Sequence, residues 1–248
     1  MGSGRDWQAV IANLNSKFQC LAVDLPGHGR SPANNDEPMT IENTAAALLE
    51  MLSEINIANC HLVGYSMGGR LALYLSLLFP QKFSGCLLES ASPGLKTGGE
   101  RAERRRRDAQ LAEKILHADF KRFLREWYRQ PIFAGLSESP RFEAMLKRRQ
   151  NNSAAMLAKS LREMGTGSQP SLWGKLKSLK LPLLLVTGEF DIKFSRIAAR
   201  MAALHPDVRH TVVKDCGHNV HLENPERFSE VLDAFISATQ NRQQKFGK

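Results

Sequence analysis

Val63-Gly64-Tyr65-Ser66-Met67-Gly68-Gly69-Arg70 decides how this chain is read, because an apolar run from Cys60 to Val63 enters it and a helical run from Leu71 to Phe79 leaves it. Strand, sharp turn, then helix is the context in which G-x-S-x-G forms a nucleophile elbow. The turn is tight, so small residues must flank the serine, and glycine tolerates backbone angles that other residues resist. The expected result is the Ser66 hydroxyl at the tip of a turn. There it lies beside a helix N-terminus whose free N–H groups favour negative charge. An ordinary Gly/Ser turn between strand and helix would carry the same letters, so the rest of the chain has to decide.

Outward from the elbow, apolar runs bounded by turn signals predict strands at Gln19–Val23, Cys60–Gly64, Ser84–Leu88, Leu183–Thr187 and Arg209–Val213. Helical patterns separate them at Trp7–Phe18, Ile41–Ile55, Met67–Phe79, Ile197–Leu204 and Pro225–Thr239. This alternation predicts an α/β fold, a mostly parallel sheet flanked by helices. Between Ser92 and Pro182 the alternation stops; the stretch is polar, helical and Arg-rich, with Pro131, Pro140 and Pro170 as breakers. The chain therefore reads as a core made of 1–92 and 182–248, with a helical lid insertion over 93–181.

At 248 residues and 42% hydrophobic, the chain is long enough for one α/β domain carrying an insertion. No run approaches the ~18 consecutive apolar residues needed to span a bilayer. Met1 to Trp7 contains no apolar signal core. Cys20, Cys60, Cys86 and Cys216 form no C-x-x-C pair. A cytoplasmic protein without disulfides or membrane contact is expected. The formal charge of +9 is partly local: Arg101, Arg104, Arg105, Arg106 and Arg107 lie close together, and Lys147, Arg148 and Arg149 form a second group. Most of these read as solvated helix faces, one or two as contacts for an anionic small-molecule substrate. The tail Arg242 to Lys248 reads as frayed. No zinc, RRM or helix-turn-helix signature accompanies the charge, so no nucleic-acid partner is expected.

A serine hydroxyl becomes reactive when a histidine takes its proton and a carboxylate orients that histidine. Leu183 to Asp191 reads as a strand running into a turn with an acid after it, and Val212 to His218 as a strand followed by Gly-His. Both candidates follow the C-terminal end of a strand, where open α/β sheets place their sites. The order Ser66, Asp191, His218 is that of a hydrolase-type triad. Glu189 is a rival acid and His221 a rival base expected to face elsewhere; His28 is expected to shape a loop. No metal-ligand spacing, G-x-G-x-x-G or P-loop occurs, so no cofactor and no metal are expected.

Asp24-Leu-Pro-Gly-His-Gly-Arg-Ser31, Gly64 to Arg70, Gly188-Glu-Phe-Asp191 and Cys216-Gly-His-Asn-Val-His-Leu-Glu-Asn-Pro225 together resemble the α/β-hydrolase superfamily over nearly the whole chain. More narrowly, Arg70 after the Gly-Gly, Glu89-Ser-Ala-Ser-Pro-Gly-Leu95 leading into Glu100 to Ala112, and Trp127-Tyr128-x-Gln130-Pro131-x-Phe133 resemble the MenH family. Its members are 2-succinyl-6-hydroxy-2,4-cyclohexadiene-1-carboxylate synthases of menaquinone and phylloquinone biosynthesis. The resemblance implies a lyase in which Ser66 and His218 remove a proton and pyruvate is expelled, with Asp191 orienting His218. It further implies that Arg70 and Arg104 bind substrate carboxylates, that Tyr65 and Trp127 shape the pocket, and that Met67 supplies an oxyanion-hole N–H. A monomer is expected. Family members begin upstream with a strand and a Leu-His-Gly-Phe-type segment that supplies the other oxyanion-hole N–H. The resemblance therefore implies a truncated chain with activity in question. A serine hydrolase acting on an ester or a carbon–carbon bond, and an inactive fragment, are the alternatives.

Overall fold

The computed structural model describes residues 1–31 and 36–246. Strands β1 (Cys60–Tyr65), β2 (Phe83–Glu89), β3 (Leu183–Gly188) and β4 (Val208–Val213) form one parallel sheet in the order β1-β2-β3-β4. The helices before β2 are α1 (Gln8–Leu14), α2 (Ile41–Glu54) and α3 (Ser66–Leu78). Between β2 and β3 come α4 (Gly98–His117), α5 (Phe120–Tyr128), α6 (Ala134–Glu138), α7 (Phe142–Arg149) and α8 (Ala154–Met164). Helices α9 (Ile192–Ala202), α10 (Val220–Glu223) and α11 (Pro225–Phe246) complete the chain.

Strand residues alternate between faces, and the apolar runs use both. Cys86 and Leu88 of β2, with Leu183 and Leu185 of β3, pack with Leu71, Leu73 and Leu75 of α3 and Met201 of α9. Leu87, Leu184 and Val186 point the other way, onto Val10 and Leu14 of α1 and Phe228, Leu232 and Ile236 of α11. Each fully buried aliphatic chain contributes roughly 1.5–3 kcal/mol, which sandwiches the sheet between two helical layers. Because all strands run one way, the residues after β1, β2, β3 and β4 gather at one end of the sheet. Ser66, Ser90, Asp191 and His218 all follow strand ends there.

The helices between β2 and β3 have their own apolar clusters. Leu124, Tyr128, Phe133, Leu136, Met145 and Leu146 pack together with Leu222 of α10, and Ala112, Ile115, Phe123, Leu157 and Ala158 form a second group. Thr97 and Glu100 cap each other's backbone at the start of α4, a device that fixes where a helix begins.

Several expectations are corrected. Gln19–Val23 forms no strand: it lies outside the sheet, with Leu21 54% exposed. An extended run becomes a strand only when a neighbour accepts its ladder, and β1 pairs with β2 alone. The segment is tied instead through Asp24, whose carboxylate accepts Gly4 N–H at 2.6 Å and Arg30 N–H at 2.8 Å. The expected helix Trp7–Phe18 is a 3₁₀ turn, Gly4–Trp7, followed by α1, which stops before Asn15 and Ser16; both residues compete for backbone hydrogen bonds. Helix α9 begins five residues earlier than Ile197, because Asp191 caps it by accepting Phe194 N–H at 3.3 Å. Helix α11 runs on through Phe246 into the tail expected to fray, and residues 247 and 248 lie outside the described residues. Among the described residues no helix is long and apolar enough to cross a membrane.

Candidate active site

Ser66 sits where β1 gives way to α3, with φ of +48°. A non-glycine residue in that left-handed region costs on the order of 1–3 kcal/mol. The glycines around it are required by close approach. A Cβ on Gly64 would lie 2.5 Å from Gly68 O, and one on Gly69 would lie 2.6 Å from Ala91 Cβ. The turn thus closes against α3 and the segment after β2, leaving Ser66 half-buried. Met67 N–H belongs to the first turn of α3, where helical amides have no partner within the helix; the Met67 sulfur accepts a weak bond from Ser160 Oγ at 3.9 Å.

Asp191 and His218 meet: His218 Nδ1–H donates to Asp191 Oδ2 at 2.7 Å, with 3% and 4% of the two residues exposed. Ser90 Oγ donates to the same carboxylate oxygen at 2.8 Å. Burial pushes the Asp191 carboxyl up, but the bonds from His218 and Ser90 and the α9 cap outweigh it, holding the group below its ordinary range. The imidazole is walled by Phe194 at 4.8 Å, Tyr65 at 5.2 Å and Phe133 at 6.0 Å between ring centres. With Nδ1 committed to Asp191, Nε2 is the nitrogen left for chemistry. Among the described residues no hydrogen bond joins Ser66 to His218; Tyr65, one residue before the serine, is the packing link between them.

The rival groups are occupied elsewhere. Glu189 is exposed and accepts Asp215 N–H at 3.1 Å. His221 pairs with Glu89, Nδ1 to Oε2 at 2.7 Å, and its own N–H donates to Oε1 at 3.2 Å. Trp7 stacks on His221 at 4.3 Å, and Tyr65 lies 4.9 Å from it. His28 contacts Pro26 O through Nδ1 at 3.1 Å, and burial pushes its imidazole down to about 3.

The implied carboxylate ligands are less open than expected. Arg70 is buried: Nη1 donates to Gln169 Oε1 at 2.5 Å and Nη2 to Met164 O at 2.8 Å. The fork a carboxylate would use is filled. Burial, aided by the Arg104 cation nearby, lowers the Arg70 guanidinium to about 10. Arg104 donates through Nε to Asp108 Oδ1 at 2.8 Å, and its terminal nitrogens make no bond among the described residues. Close to the pair, Gln169 Nε2 and Asp108 Oδ2 are buried without partners. Trp127 lies in an aromatic row, 6.1 Å from Phe123 and 6.2 Å from Phe133. Phe133 in turn meets the His218 ring at 6.0 Å, so the row reaches the imidazole through Phe133.

Several groups escaped the sequence reading. Glu89, Ser90 and Phe133 stand in motifs that carry the family resemblance but drew no assigned role, and Phe194 drew no signal, because their roles depend on direction at strand and helix ends. Arg148 and Arg149 lie in a basic run taken as a solvated face, yet Arg149 is 5% exposed. It pairs with Asp6 Oδ2 at 2.9 Å, bonds the Tyr128 hydroxyl, and its charge reaches Tyr65; Arg148 holds the other Asp6 oxygen at 2.9 Å. Burial pushes the Tyr65 hydroxyl well above its ordinary range, and the Glu89 carboxylate adds to that. Among the described residues, no group of three His, Cys, Asp or Glu side chains could hold a metal ion.

Comparison with known proteins gives these structural observations a context. The family described as alpha/beta hydrolase fold matches residues 1–225. The 2-succinyl-6-hydroxy-2,4-cyclohexadiene-1-carboxylate synthase of Enterobacter sp. (strain 638) is 38% identical over 231 residues, covering 93% of this chain and 86% of the relative. That of Serratia proteamaculans (strain 568) is 35% identical over 237 residues, covering 95% and 89%. Among solved structures, MenH from S. aureus superposes with a TM-score of 0.92 at 32% identity, covering 96% of this chain and 91% of that one.

Proposed function

The chain belongs to the 2-succinyl-6-hydroxy-2,4-cyclohexadiene-1-carboxylate synthase family of the alpha/beta hydrolase fold, and on that premise we propose that it is a lyase of menaquinone or phylloquinone biosynthesis. The observation that carries the reading is the buried His218–Asp191 pair packed against Tyr65, the residue before a serine held at positive φ at the start of a helix. Asp191 keeps the proton on Nδ1, so Nε2 is free to take the Ser66 proton as the serine oxygen removes a ring proton from the cyclohexene substrate. The electrons of that C–H bond form a ring double bond, the existing ring double bond shifts one position along, and the C–O bond to the enolpyruvyl group breaks with its electron pair on the departing oxygen. The proton passes through His218 to the departing group, which leaves as pyruvate. No water is consumed, and the ring becomes the conjugated diene.

The negative charge that builds on substrate oxygen during proton removal is met by Met67 N–H at the start of α3. Losing one such donor costs ~10²–10³ in rate. Arg104, with its terminal nitrogens free, is assigned to a substrate carboxylate, because a guanidinium fork matches that group geometrically. Arg70 adds its buried charge and contacts the carboxylate only by releasing Gln169. Tyr65 and the aromatic row from Trp127 to Phe133 exclude water around the imidazole.

A serine hydrolase acting on an ester is the second reading, since the same pair activates a serine for acyl transfer. Pyruvate release from the succinyl-enolpyruvyl cyclohexene substrate, set against hydrolysis of a nitrophenyl ester, separates the two. The proposal expects pyruvate release to exceed ester hydrolysis by orders of magnitude in kcat/KM, and ester hydrolysis without pyruvate release overturns it.

A further inference from the structure

The turn Gly217-His218-Asn219 follows β4 and belongs to no strand, so the imidazole stands only as firmly as its backbone is bonded. The two N–H groups that flank His218 end on one carboxylate. Gly217 N–H donates to Glu223 Oε2 at 2.6 Å and Asn219 N–H to Glu223 Oε1 at 3.0 Å. Glu223, the last residue of α10, thus folds back over the turn and satisfies both donors at once. Burial pushes its carboxyl above the ordinary range while the two N–H bonds pull the other way.

On its far side this carboxylate meets the insertion. Gly135, in α6, approaches Glu223 Oε2 so closely that a Cβ built there would overlap it, and Gly217 N would lie 3.6 Å away. Leu222, next to Glu223, is packed in the cluster of Tyr128, Phe133, Leu136 and Met145. Phe133 itself meets the His218 ring edge-on. The insertion therefore touches the turn at its carboxylate, at the adjoining apolar side chain and at the imidazole.

We propose that Glu223 is a positioning residue for His218, and that the docked insertion pins its carboxylate through Gly135, so that α6 and the imidazole are placed together. The inference rests on His218 acting as the base. Misplacement by about 1 Å is enough to cost ~10²-fold in rate, and a carboxylate gripping the backbone on both sides of the imidazole opposes such displacement.

Glu223→Gln keeps the shape but turns one acceptor into a donor facing an N–H; kcat is expected to fall ~10-fold or more with KM held within ~2-fold. Gly135→Ala puts a good helix former into α6 while its methyl group displaces the carboxylate. The expected result is a similar kcat loss in a protein that still unfolds cooperatively, the gain in helix propensity offsetting part of the lost bonding. Because both changes break one contact, the double variant should be no slower than the slower single. The hydrogen-bonded Nδ1 proton of His218, followed by NMR, should broaden or shift in both single variants. Additive losses, a loss confined to KM, or an unchanged kcat and an unchanged imidazole resonance in Gly135→Ala overturn the proposal. Should Glu223→Gln fail to fold, Gly135→Ala and its imidazole resonance decide alone. Kinetics are read on whichever substrate the wild-type protein turns over, the cyclohexene or the nitrophenyl ester. Absent pyruvate release with intact ester hydrolysis thus sinks the proposed function and leaves this inference to its own result.

Discussion

Two buried imidazole–carboxylate pairs lie three residues apart in this molecule with the same 2.7 Å separation, His218 with Asp191 and His221 with Glu89. Their surroundings differ. Asp191 also accepts Ser90 and caps α9, and its imidazole lies beside Tyr65, the residue before Ser66. Glu89 accepts the backbone N–H of His221 as well as its ring, while Trp7 lies flat on that ring. The second pair fastens α10 to the end of β2; the first leaves Nε2 without a hydrogen bond among the described residues, in a ring packed against Tyr65, the residue before Ser66. A carboxylate orients an imidazole in both cases, and what stands beyond the other nitrogen decides whether the imidazole becomes a base.

The largest expected effect breaks the first pair. His218→Gln should lower kcat by ~10³–10⁴ and Asp191→Asn by a comparable factor, since the amide favours the wrong tautomer. Pre-steady-state and steady-state kinetics check both. His221→Ala should do the reverse, costing ~3–5 kcal/mol in denaturant unfolding by stranding the Glu89 carboxylate, while kcat per folded molecule falls far less than in His218→Gln. Equal kcat losses in the folded variants would erase the distinction. Asp6 extends the contrast to a purely structural carboxylate. Burial raises it, but Arg149 and Arg148 bring it down to about 2. Its stabilisation is therefore fully present above about pH 4 and is lost as pH falls towards about 2, amounting to roughly 2 kcal/mol. Asp6→Asn should remove that part of the acid dependence, as urea midpoints across the range would show. Arg70→Ala is expected to lower kcat/KM by ~10-fold through lost charge beside Arg104, and an unchanged kcat/KM would place Arg70 outside the site. Ser90→Ala, which removes one of the bonds to Asp191, should cost only a few-fold in kcat.

The parts of this architecture that local patterning encodes were legible. Cys60 to Phe79 carries strand, tight turn and helix in its own letters, and Leu183 to Asp191 carries a strand with an acid beyond its end. The proximity of Asp191 and His218 follows once both are assigned to strand ends of one parallel sheet. What stayed hidden depends on partners distant in sequence. Gln19–Val23 has strand composition, but a strand exists only if a neighbour accepts its ladder. Arg70 is tied up by Gln169, and Arg149 is buried by Asp6, at separations of 99 and 143 residues, so neither burial is visible in a run of basic letters. Glu89 and Ser90 are consecutive yet serve different histidine-bearing sites. Ser90 lies at φ of +47°, and no local pattern announces a turn that sends two neighbours to opposite tasks.

Pyruvate release by Ser66→Ala tests most directly whether Ser66 takes part in proton removal through His218. The variant should lose at least ~10³-fold in kcat while its Tm stays within a few degrees of the wild type, because only an oxygen atom is removed. Pyruvate release at the wild-type rate from a folded Ser66→Ala protein would contradict that role.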